Sequence, residues 1–118
     1  MSRDDAEWLV ELEGSARRIL EILGDRDVAA MIATPFLLEA ILHHLAVLGE
    51  AAGKVSNDVR RGMPELPWRE MRDTRNFVVH AYFRIDPEVI WRTCRQDVPA
   101  LVQAIDRLRR DGRWSDAS

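Results

Sequence analysis

Apolar side chains recur every three or four positions along most of the chain, the period of an amphipathic helix and not of a strand. Residues 4–23 carry Trp8, Leu9, Leu12, Ala16, Ile19, Leu20 and Leu23 on one stripe, and Gly24 ends it. Residues 25–33 read as a short second helix. Thr34-Pro35 is then a start signal: a capping hydroxyl, followed by a proline whose missing N–H is not needed at the first helical position. The third helix runs to about Val55, with Leu37, Ile41, Leu45, Leu48, Ala52 and Val55 on its core side. Residues 56–66, with Ser56-Asn57-Asp58, Gly62 and Pro64, read as the main break. Pro67 opens a fourth helix through Trp68 and Met71 to about Tyr82. Asp86-Pro87-Glu88 repeats the cap-then-proline signal and starts a fifth, through Ile90, Trp91, Val98, Leu101, Val102, Ile105 and Leu108. Pro99 lies inside that last helix and should kink it, because it removes a backbone donor and crowds the preceding turn. No alternating strand pattern and no internal repeat interrupts the series. The expectation is an all-α antiparallel bundle of four to five helices, one domain over residues 1–118.

Composition narrows the class. With 118 residues, 47% apolar and 31% charged, the chain can bury one core and is not compositionally disordered. Its longest unbroken apolar run is only a few residues, so no membrane-spanning helix is expected. The polar start, Met1 to Asp5, is unlike a secretory signal, and a lone Cys94 suits a reducing cytoplasm. A net charge of −3 argues against coating nucleic acid by bulk electrostatics. The charge is uneven, however. Residues 1–59 hold five basic and eleven acidic side chains, whereas residues 60–95 hold eight arginines against five acids. A basic middle on an acidic chain suggests a local anion site, or simply solvated helix charge.

Few residues offer chemistry. There is no glycine-rich phosphate loop and no nucleophile elbow, and the His, Cys and carboxylate spacing is too sparse for a metal. On the third helix Glu39, His43 and Glu50 fall within about 40° of one another on an ideal wheel, a functional patch or a surface polar strip. His44 falls near the apolar face and reads as a packing residue. The fourth helix says more. Met71, Arg75, Val78, Val79 and Tyr82 share a face, and an arginine in apolar company needs a partner, a wet cleft or a subunit interface. Asn76 and His80, four apart, stack on a neighbouring polar face. Guanidinium, amide and imidazole on adjoining turns could serve a phosphate, the arginine gripping oxygens and the histidine moving protons near neutral pH. Spacing alone equally allows Arg75 to snorkel and His80 to be an ordinary surface histidine.

Four blocks carry a resemblance: Leu48-Gly49-Glu50-Ala51-Ala52, Pro64-Glu65-Leu66-Pro67-Trp68, the run Met71 to Phe83, and Asp86-Pro87-Glu88-Val89-Ile90-Trp91. In this order, from about Ala40 to Ile105, the chain resembles the HepT family of HEPN (higher eukaryote and prokaryote nucleotide-binding) domains. These are toxins paired with minimal nucleotidyltransferase antitoxins. Members carry an arginine, four to six residues, then a histidine; here Arg75 and His80 enclose four, and Asn76 follows the arginine. The first 35 residues match only in pattern, and Ala81 stands where glycine is common. The resemblance implies a HEPN-like homodimer, a metal-independent endoribonuclease needing no cofactor and acting on tRNA or mRNA. His80 would be the general acid/base, Arg75 the transition-state cation and Asn76 its support. It implies that Tyr82, in a His-x-Tyr sequence, is where the nucleotidyltransferase partner attaches AMP. Arg75 and His80 lie about 140° apart on an ideal helix, so the expectation ties activity to a dimer whose shared cleft joins two copies of each. A silent HEPN nucleotide- or RNA-binding module, and a purely structural helical adaptor, are the alternatives.

Overall fold

The computed structural model describes residues 1–114, and no strand occurs among them. Helix α1 is Arg3–Leu23, capped by the Ser2 hydroxyl, which accepts the Asp5 N–H at 3.1 Å. Gly24 closes it with φ 55°, a left-handed turn that glycine adopts without a Cβ clash. Helix α2 is Val28–Ile32, capped by Asp27; α3 is Pro35–Lys54; α4 is Asn57–Gly62, capped by Ser56; α5 is Trp68–His80. A 3₁₀ turn at Tyr82–Arg84 leads to α6, Pro87–Arg92, capped by Asp86. Helix α6 continues through a π-helical segment, Thr93–Asp97, into α7, Val98–Arg110. Counting that last rod once gives six helices among the described residues.

Three local expectations are corrected, and a fourth takes a specific form. Residues 56–66 are not all break, since Ser56 nucleates α4, and so the expected four to five helices are six. Thr34 occupies the cap position of α3, but its hydroxyl donates back to the Ala30 carbonyl at 3.2 Å and caps nothing. The fourth predicted helix stops at His80, so Tyr82 leaves the face it was expected to share with Met71 and Arg75. Pro99 is preceded by a wider turn in which the Val98 N–H reaches the Thr93 carbonyl, five residues back. The disturbance expected from Pro99 takes the form of this π-helical segment, one of the ways in which a helix bends.

Three cross-links fix the topology. The buried Asp5 carboxylate accepts the Ser56 N–H at 2.7 Å and its hydroxyl at 2.8 Å, pinning the start of α1 to the end of α3. Arg17 reaches Asp106 at 2.6 Å and Glu13 pairs with Arg109, so α1 and α7 are antiparallel. Gly49 packs on Met71 and Arg75 while Gly53 packs on Arg72, so α3 and α5 are antiparallel too. The order of neighbours is therefore α5, α3, α1, α7, around a core that includes Leu9, Leu12, Ile19, Ile41, Leu45 and Ile105. Helix α3 is long and apolar enough, by length and composition, to cross a bilayer. Here that apolar character lets it bury side chains against α1 and α5 at once.

Burial pushes the Asp5 carboxyl up, but hydrogen bonds from Ser56 and Ser2 outweigh it and leave it below its ordinary value. A carboxylate lowered on folding stabilises above its unfolded pKa and loses that contribution as the pH falls through the folded one. Asp5→Ala should therefore cost about 2 kcal/mol at neutral pH. Urea unfolding between pH 7 and pH 2 should show the difference from wild type shrinking with acid.

Candidate active site

Helix α5 positions the candidate residues. Its buried side chains, Met71 and Val78, turn one edge onto the core. Arg75 lies beside that edge against α3, and its Nε pairs with Glu50 Oε2 at 3.2 Å. Its Nη1 donates to Asn76 Oδ1 at 3.3 Å. The guanidinium is thus oriented from two sides, with its side chain 37% exposed. The partner that an arginine in apolar company requires is Glu50, together with an open cleft.

The seam is tight because of Gly49. A Cβ there would stand 2.3 Å from Arg75 Cβ and 2.5 Å from the Met71 carbonyl oxygen. Beside it lies a groove of about 290 Å³ lined by Gly49, Glu50, Gly53, Lys54, Arg72, Arg75 and Asn76.

His80 ends α5 on the solvent side and is exposed, with no hydrogen bond or ion pair among the described residues. Five positions separate it from Arg75, so within one chain the two side chains leave the helix in different directions. Arg75 and Asn76 meet; His80 joins neither. Tyr82 sits in the 3₁₀ turn, 46% exposed, edge-on to Phe83 with ring centroids 5.5 Å apart. Its hydroxyl has no hydrogen-bond partner among the described residues. Val79, expected beside Arg75 on the apolar face, is also exposed.

The expected strip on α3 divides. Glu50 joins Arg75, whereas Glu39 and His43 remain exposed on the surface. His44 packs half-buried and edge-on to His43, with centroids 5.1 Å apart. Burial, then the neighbouring His43 and Arg18 charges, hold it below the ordinary histidine value, as befits a packing residue. No group of three His, Cys or carboxylate residues that could hold a metal occurs among the described residues. The sequence reading missed the Glu50–Arg75 pair and the Lys54–Arg72 groove. The available signal was Gly49 and Gly53, four apart on α3, which mark a face approached closely by another helix.

Comparison with known proteins places these residues in a family. The family model described as ribonuclease HepT-like matches residues 12–108. A "Probable ribonuclease HepT" of Thermococcus cleftensis is 41% identical over 71 residues, 60% of this chain and 64% of that protein, so the match spans just under two thirds of its length. "Putative RNase MJ1380" of Methanocaldococcus jannaschii is 32% identical over 104 residues, 88% of this chain and 95% of that protein. "Putative RNase MJ0125" of the same organism is 26% identical over 109 residues, 92% of this chain and 94% of that protein. No solved structure gives a significant match.

Proposed function

The chain belongs to the ribonuclease HepT-like family, and from that premise we propose that it is a metal-independent endoribonuclease, the toxin of a toxin–antitoxin pair, working as a homodimer in the cytoplasm. One observation carries the reading: Arg75 is held by Glu50 and Asn76 at the edge of an open groove, while His80 stands exposed on the same helix with no hydrogen bond or ion pair among the described residues. A two-fold axis beside α5 would bring Arg75 of one protomer toward His80 of the other.

In the proposed reaction His80 removes the proton of an RNA 2′-hydroxyl, whose oxygen attacks the adjacent phosphorus. The P–O5′ bond breaks, leaving a 2′,3′-cyclic phosphate and a 5′-hydroxyl that takes up a proton. Arg75 offsets the charge that builds on the non-bridging oxygens, and Asn76 holds the guanidinium in place. The antitoxin would be a minimal nucleotidyltransferase. It transfers AMP by letting the Tyr82 oxygen attack the α-phosphorus of ATP, with pyrophosphate leaving. The exposed Tyr82 hydroxyl, two residues beyond His80, is open to such a transfer. The added phosphodiester would set negative charge against the RNA backbone in the same cleft.

Purified protein incubated with tRNA and mRNA in EDTA tests the reading. Cleavage that ends in cyclic phosphate supports it. No cleavage by an unmodified, folded dimer would overturn it in favour of a silent binding module.

Glu50→Gln separates positioning from folding. The pair is partly exposed on both sides, so its loss should change stability by less than about 1 kcal/mol. A guanidinium left unaimed should lower kcat about tenfold or more with KM less affected. Steady-state kinetics beside a melting curve reads both, and Glu50→Asp should recover part of the loss.

A further inference from the structure

The groove beside Arg75 holds more positive charge than one transition-state cation requires. Lys54 closes α3, Arg72 lies one turn before Arg75 on α5, and both are exposed. Neither makes an ion pair among the described residues. Several arginines elsewhere are matched: Arg17 and Arg109 on α1 and α7 meet Glu13 and Asp106, and Arg113 meets Glu65. Arg69, Arg84, Arg92, Arg107 and Arg110 have no ion pair among the described residues either, but none of them lines this groove. The seam therefore sets Lys54, Arg72 and Arg75 against Glu50 alone, on a chain whose net charge is −3. Unneutralised cations gathered on an acidic protein repel one another, and an anion relieves that repulsion.

The floor of the groove is backbone. Gly49 and Gly53 leave no side chain there, and the stem of Arg72 lies over Gly53, its Cγ and Cδ about 3.6 Å from where a Cβ would stand. That contact directs Arg72 along the seam. On α5, Arg72 precedes Arg75 by three residues and Asn76 by four, so the three line one face of neighbouring turns. Asp73 is the exposed acid next to this lane on α5.

We propose that this seam is an RNA-backbone subsite, in which Lys54 and Arg72 hold the phosphate next to the one that Arg75 addresses. The proposal rests on the nuclease reading and extends it. The substrate is a single strand laid along the α3–α5 seam, held through phosphates and not through bases, which gives binding without sequence preference at this step. Affinity should therefore depend steeply on salt even though the protein as a whole is acidic.

The test uses the intact chain with a single-stranded 2′-O-methyl RNA of mixed sequence, which cannot be cleaved. Arg72→Gln, Lys54→Gln and the double variant keep the side-chain stems and remove the charges. Binding measured from low to moderate salt should show the slope of log K against log salt falling by about 0.7 for each cation removed. The double variant should bind about tenfold more weakly. On cleavable RNA of the same sequence its KM should rise while kcat holds, and Arg72→Lys should behave nearly as wild type. Slopes and KM unchanged in variants, with wild type cleaving, would overturn the subsite and leave the nuclease reading standing. Wild type that neither binds nor cleaves would overturn both. Variants that lose binding because their dimer dissociates on sedimentation would place these cations in the subunit contact, which also overturns the subsite.

Discussion

His80→Ala should lower RNA cleavage about a hundred- to ten-thousandfold while leaving the melting temperature close to wild type. The first half follows from removing a positioned proton-transfer group. The second follows from His80 being exposed at the end of α5 without a partner among the described residues. Arg75→Ala should cost about a hundred- to thousandfold, the usual loss of a group aimed at developing charge. It also leaves Glu50 without its cation, so a small stability change should accompany it. Mixing the two variants decides how the site is assembled. If Arg75 of one protomer works with His80 of the other, a mixed dimer regains one intact site while its second site lacks both groups. Random exchange of subunits should then recover roughly a quarter of wild-type activity from two inactive parents. If both groups came from the same chain, mixing would restore nothing.

Gly49→Ala should be the most damaging small substitution in the fold. The added Cβ would meet Arg75 Cβ at 2.3 Å, the Met71 carbonyl oxygen at 2.5 Å and the Arg75 N at 2.9 Å. Two of those three atoms are backbone, so rotating a side chain cannot make room. The helices must separate, which takes Met71 and Arg75 out of register with α3. Alanine favours a helix interior over glycine by about 1 kcal/mol, and overpacking of this kind costs about 1–3 kcal/mol or more. The clash wins. At the upper end of that range the net loss is about 2 kcal/mol, which corresponds to a fall of roughly 6–12 °C in melting temperature for a domain near this size. Gly14→Ala is the control. Nothing lies within 4 Å of a Cβ there, on an exposed position of α1, so it should stabilise slightly. Thermal melts of the two variants should move in opposite directions.

The contrast between these glycines shows what the sequence could and could not disclose. Gly14 falls opposite the apolar stripe of α1, so its tolerance was readable, whereas Gly49 falls at the edge of the apolar face of α3, where a glycine shows a close approach but not what approaches. Only the antiparallel register of α3 on α5 makes one of them indispensable, and register is a property of two segments together. The same limit explains Glu50. That Arg75 needed a partner was legible from its apolar neighbours, but the identity of a carboxylate 25 positions earlier was not. Helix starts at Pro35 and Pro87 were readable because proline at a first helical position follows a local rule. The end of α5 was not, since Val79 and Tyr82 continue the apolar period past the point where the chain turns into 3₁₀ geometry. At Thr34 a local rule met a competitor: the nearby Ala30 carbonyl took the hydroxyl that would have capped α3.

The order of neighbours has a kinetic side. Helix α5 stands at the end of the row, packed chiefly along α3, and buries only Met71 and Val78 of its own. Few apolar contacts and a long exposed flank are the marks of an element that opens by itself, well below the free energy of global unfolding. Its amides should exchange with solvent sooner than those of α1 and the inner turns of α3. Among the long helices α1, α3, α5 and α7, the one bearing Arg75 and His80 buries the fewest side chains and is the one whose departure the rest survives most easily. Substitutions that retune cleavage can accumulate on α5 with little threat to folding, as long as Gly49 keeps the place where it returns.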